Sequence, residues 1–194
     1  MTFDEDNPPL VPDRACGSCN VCCVDLTIDE PVLRKAQGIR CLHAQADNSC
    51  AIYENRPHTC RTFFCGWRML KWVKAGLRPD QSGVLINLRE AGRPGENAGM
   101  GVVFTLLRQD ALKADGLAET VAAAVVSGAP VWIRIPGPPG YTSAGARIDD
   151  VLRPAVLGRD KPAVLAILRR CWREGRKGDF EPIKLSGPPT AVAE

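Results

Sequence analysis

Eight of the nine cysteines fall between Cys16 and Cys65, within fifty residues. The stretch opens with Cys16, Cys19, Cys22 and Cys23, a C-x2-C-x2-C-C run, and continues through Cys41, Cys50, Cys60 and Cys65. Thiols at this density serve as metal ligands, as disulfides or in redox chemistry. The acidic N-terminus, Met1 to Pro9, has neither the basic flank nor the apolar run of a secretory signal, so a cytoplasmic, reducing compartment is expected. There, thiols stay reduced and bind metal rather than one another. All eight clustered cysteines are therefore expected to be metal ligands.

Charge supports this reading. Residues 14–75 carry nine Lys or Arg and five acids. Eight thiolates would leave that segment at −4, a deficit that two divalent cations cancel. The side chains of the adjacent Cys22 and Cys23 should diverge and serve two neighbouring centres. Four thiolates suit tetrahedral zinc, with sulfur at about 2.3 Å. They also suit an iron–sulfur cluster. Cys16, Cys19 and Cys22 reproduce the C-x2-C-x2-C opening of ferredoxin runs, although Val24 stands where those runs close on Cys-Pro. Zinc is the first expectation; iron or a [4Fe–4S] cluster is the second. His43 and His58 each lie two residues from a cysteine and are expected outside the ligand set. Arg56 and Arg61 bracket Cys60, where guanidinium donors could stabilise a thiolate. Cys171 falls on the apolar face of a helix and is expected to be a packed thiol.

The fold class expected is α+β: an irregular cysteine-rich metal-binding module over 14–76, packed on a small mixed sheet with helices over 80–176. Residues 1–13 and 177–194 read as mobile tails, the latter trailing or wrapping. Thr27–Glu30 offers a capping box, which predicts a short helix with Val32, Leu33 and Ala36 inward and Gly38 at its end. Cys41 and Cys50 flank the turn Asp47-Asn48-Ser49, a knuckle-like hairpin. Cys60 is expected on a turn after Pro57. Trp67, Leu70 and Val73 give a one-sided face ending at Gly76.

Beyond residue 80 the pattern changes. Strands are expected over 83–89, 100–107 and 131–135, with a long hairpin loop over 92–99. Leu117, Val121, Ala124 and Val125 predict a helix over 110–127. A second helix is expected over 161–174, with Asp160 as its cap, Pro162 in its first turn and Gly175 at its end.

Other function classes find little support. No apolar run reaches the roughly 18 residues of a membrane span. A net charge of +3 is too slight and dispersed to argue for nucleic acid. No nucleophile elbow, phosphate loop or acid/base pair stands out, so whether the chain is an enzyme stays open. Metal ions are the expected partners, and no protein partner is indicated.

The string Cys50-x-Ile52-Tyr53-Glu54-x-Arg56-Pro57-x-x-Cys60-Arg61-x-Phe63, following the C-x2-C-x2-C-C run and Cys41, resembles the bacterial CxxCxxCC cysteine-cluster proteins of YkgJ type. The resemblance covers about residues 14–66. It implies zinc or iron chelation by these cysteines. Some relatives accompany protein-modifying chemistry such as flagellin lysine methylation, but no S-adenosylmethionine motif carries that activity here. An iron–sulfur enzyme or accessory protein in redox or protein-modification chemistry is the alternative expectation.

Overall fold

A computed structural model describes residues 9–90 and 99–190. Residues 1–8 of the predicted lead-in 1–13, nearly all of the loop 92–99 and residues 191–194 lie outside the described residues.

The larger part of the chain is built on a four-stranded sheet. Its strands are β3 (Val84–Glu90), β4 (Met100–Leu106), β5 (Val131–Pro136) and β6 (Ser143–Arg147), side by side in that order. β4 and β5 run parallel and the other pairs antiparallel, so the sheet is mixed as expected. One face carries Val84, Ile86, Val102, Phe104, Val131, Ile133 and Ile135, and packs against three helices. These are α5 (Leu117–Val126), α6 (Asp149–Leu157) and α7 (Lys161–Gly175). Val121, Leu152 and Leu168, all fully buried, carry the helix side of that core. The architecture is α+β.

α7 starts where its cap predicts: the Asp160 carboxylate accepts the Ala163 N–H at 2.9 Å. The helix predicted over 110–127 is divided. A 3-10 turn covers Gln109–Lys113, and α5 begins only after Gly116, whose φ of 80° breaks the helical path. No expectation covers β6 or α6; Pro154 inside α6 masks its helical pattern.

The N-terminal part departs further. The helix predicted after Thr27 is a hairpin of β1 (Ile28–Glu30) and β2 (Leu33–Lys35), with Pro31 and Val32 at the turn. Val32, predicted inward, is exposed, whereas Leu33 and Lys35 are both buried. Burial therefore follows period two, not the helical period. Four short helices punctuate this region: α1 (Val21–Asp25), α2 (His58–Thr62), α3 (Gly66–Met69) and α4 (Pro79–Ser82). Cys60 thus sits on α2 instead of a turn. The one-sided face predicted over 67–76 is cut short at Met69, yet Trp67, Leu70, Val73 and Leu77 still join the main core. Ile28, Leu33 and Cys41 form a separate small core, against which Cys23 and Cys60 pack.

Residues 177–190 wrap back across the molecule. Ile183 donates to Gly140 O at 2.8 Å. Ser186 donates from N–H and hydroxyl to the Asp29 carboxylate, both at 2.8 Å. Thr190 exchanges two bonds with the Arg34 backbone, at 2.7 and 3.0 Å.

Candidate metal centre

Tight local turns hold the eight clustered cysteines. Cys19 N–H donates to Cys16 O at 2.9 Å, closing the first loop. Cys22 and Cys23 lie on α1, where consecutive residues are rotated by about 100° about the axis. Cys41 N–H donates to Cys23 O at 2.8 Å, which brings the hairpin region back to α1. Cys50 faces Ala44 across an isolated bridge, so the predicted knuckle forms, with Asp47 accepting the Ser49 N–H at 2.9 Å inside its turn. Cys65 immediately precedes α3.

The electrostatic neighbours of each thiol separate into two sets. Burial raises the Cys65 thiol above its usual range, and the neighbouring Cys16 and Cys19 raise it further. Cys19 is raised by burial first, with Cys16 also contributing. Cys22 feels Cys16 and Cys19. On the other side, burial pushes Cys60 up to about 11, reinforced by Cys23, Cys41 and Cys50. Cys41, raised mainly by burial, feels Cys23 and Cys50. One set is thus Cys16, Cys19, Cys22 and Cys65; the other is Cys23, Cys41, Cys50 and Cys60.

The sets meet at α1. Cys22 and Cys23 act most strongly on each other: their side-chain interaction is the largest cause that raises Cys22 and lowers Cys23, the latter to about 6. Lys35, Arg40 and Arg56 favour the Cys23 thiolate further. Backbone amides also point at sulfur. Those of Val21 and Asp80 near Cys19, of His43 near Cys41, and of Arg68 and Trp67 near Cys65 favour the thiolate, against the larger effect of burial. Amide donors of this kind stabilise a thiolate and orient it.

Several contributors escape a reading of the sequence. Lys35 is 4% exposed, and its ammonium donates to Val24 O at 3.1 Å and to Leu26 O. Burial lowers its pKa, opposed by Cys41, Asp25 and Cys23. The alternation of Leu33 and Lys35 is the signal that would have found it. Arg78 donates to Cys16 O at 2.8 Å and to Ser18 Oγ at 3.3 Å, tying the first loop to α4. Arg14 donates to the carbonyls of Trp67, Leu70 and Val73 at 2.6, 3.2 and 2.6 Å.

The backbone of His43 lowers the Cys41 thiol slightly against burial, and His58 is exposed at the start of α2. Cys171 lies on α7, against the helix side of the sheet near Ile133 and Ile135. All nine cysteines are free thiols. Among the described residues no three Cys, His, Asp or Glu side chains converge closely enough to form a finished metal-ligand group. The donors are of the kind and number that two four-thiolate sites would need, but among the described residues their sulfurs do not meet at a common point. No helix among the described residues is long and apolar enough to cross a membrane. No family model, curated protein or solved structure matches the chain.

Proposed function

We propose that this protein chelates metal in the cytoplasm through two four-thiolate sites, Cys16, Cys19, Cys22 and Cys65 in one and Cys23, Cys41, Cys50 and Cys60 in the other. The observation that carries the reading is the gathering of eight free thiols in which backbone bonds tie Cys19 to Cys16 and Cys41 to Cys23, and the thiols that act on one another electrostatically fall along the same division. A disulfide framework would instead favour pairs. Zinc is the preferred ion, since four thiolates complete its tetrahedron and leave no open position. Bound there, zinc would supply folding free energy and no redox chemistry.

The chain's own part is to lower the cost of gathering thiolates. Amides near Cys19, Cys41 and Cys65 favour their thiolates, while Lys35, Arg40 and Arg56 offset charge beside Cys23. Binding requires deprotonation, so the proton held on Cys22 must leave as the ligands gather. The same amide donors would suit an iron–sulfur cluster, whose potential such bonds tune. This is the second reading, and it would make the protein a redox or protein-modification component like the relatives it resembles.

Purification without oxygen, followed by elemental analysis and a visible spectrum, decides the matter. A colourless protein with two zinc ions is expected. A brown protein carrying iron and sulfide favours the second reading. A chain without bound metal overturns both.

A further inference from the structure

The face of the sheet turned away from α5, α6 and α7 carries a row of cations. Strand register places Asn87 and Arg89 of β3, Gly101 and Val103 of β4, Trp132 and Arg134 of β5, and Gly145 and Arg147 of β6 on this face. The Trp132 ring lies across Gly101, where a Cβ would come within 2.2 Å of it. Arg89 and Arg147 approach that ring to 4.6 and 5.9 Å from its centroid. A hollow of about 330 Å³ opens between these side chains.

The charges in the hollow are unevenly answered. Arg147 is neutralised by Asp149, through two bonds of 2.8 and 2.9 Å. Among the described residues no carboxylate pairs with Arg89 or Arg134. Arg134 is pushed below its usual value, by partial burial first and by the Arg89 charge second. Arg89 and Arg134 both line this hollow, so an anion entering it would meet two positive charges that no described carboxylate answers.

The geometry points to an anion site in which Arg89 and Arg134 together grip the phosphate group of one small phosphate ester. Guanidinium forks match phosphate oxygens two at a time, and two forks satisfy more of a phosphate than one carboxylate could use. The volume lies at the lower end of ligand sites, about 300–1,000 Å³, which suits one small molecule. Single-stranded nucleic acid needs free aromatic faces for stacking. Trp132 already rests on Gly101 and under Arg89, so the polymer is the poorer occupant. The inference stands apart from the thiol sets, and failure of one leaves the other intact.

The test is titration of the 15N-labelled full chain with inorganic phosphate and with pyrophosphate, against chloride at equal ionic strength. Saturable shifts at the amides of Trp132, Arg134 and Gly145 are expected with both phosphates and not with chloride. Arg89→Gln and Arg134→Gln should each weaken binding about tenfold, the loss of one charge-assisted pair. Both side chains are exposed, so the fold should persist, which the dispersion of the same spectra checks. Arg170→Gln, on α7, should bind as the parent does. Equal shifts with chloride, or unchanged affinity in both hollow variants, would overturn the site. A single-stranded oligonucleotide binding the same amides more tightly than pyrophosphate would overturn the small-ligand assignment.

Discussion

Cys22 and Cys23 are consecutive on α1, yet different charged groups act on their thiols: Cys16 and Cys19 on Cys22, and Lys35, Arg40 and Arg56 on Cys23. Their rotation about α1 makes this possible. Single substitutions should therefore be read separately by the two sets. Cys65→Ser and Cys60→Ser should each remove about half of the bound metal, while the double variant removes all of it. Cys171→Ser should leave the content unchanged. Elemental analysis of the four proteins checks this; complete loss from either single variant would mean one shared centre.

Chelation should unfold the chain unevenly. The small core of Ile28, Leu33 and Cys41 holds few apolar side chains, whereas the sheet and its three helices bury a large set. Thiolate ligation supplies on the order of 10 kcal/mol of folding free energy in zinc-finger peptides. Hydrogen exchange after metal removal should deprotect residues 14–65 before 84–175. Uniform deprotection would contradict it.

Arg14→Met should destabilise the junction between the cysteine region and the sheet. It leaves the carbonyls of Trp67 and Val73 without a donor, whereas that of Leu70 keeps the Val73 N–H at 3.1 Å. Partly buried acceptors left unpaired cost about 2 kcal/mol in total. Denaturant unfolding should record that loss, and a change within error would place those carbonyls in water.

Gly66→Ala acts at the same junction by crowding. A Cβ there would lie 2.6 Å from Ile86 Cγ2 on β3. Because Cys65 is its neighbour, the shift should weaken metal binding in the Cys65 set more than in the Cys60 set. The stability cost should be about 1–3 kcal/mol by thermal unfolding.

Acid should expose the Asp149 contribution. The Arg147 hydrogen bonds hold the Asp149 carboxyl below the usual carboxylate range, against the effect of burial. A depressed carboxyl stabilises the fold above its unfolded value of about 3.9, and the benefit is lost as pH falls through the folded value. Asp149→Asn should thus be less stable than the parent at neutral pH, with the gap closing below about pH 4. Unfolding midpoints across that window check the sign; a gap that widens in acid would reverse it.

How much of this could be read in the chain depended on whether the signal was local. α7 declared itself through Asp160, Pro162 and the apolar spacing from Val164 to Trp172, all within one element. The strands at 84, 100 and 131 did so through short segments dense in Val, Leu and Ile, broken only by single polar residues such as Asn87, Thr105 and Arg134. The hairpin at 28–35 did not. Thr27 and Glu30 imitate a capping box, but Glu30 instead accepts the amide of Thr59 at 2.7 Å, a partner 29 residues away. The eight thiols were visible as a group, while their division into two sets depends on where α3 and the Cys41 turn fold back. Lys35, Arg14 and Arg78 act through backbone carbonyls, which carry no residue-specific signature.

The bonds from Ser186 and Thr190 to Asp29 and Arg34 also give the molecule an order in time. A ribosome delivers the clustered cysteines before this covering strap. At ordinary rates of elongation, the interval between Cys65 and Thr190 is on the order of ten seconds. For that interval the hairpin beside the thiols stands uncovered in the growing chain, until a later-made stretch fastens an earlier one.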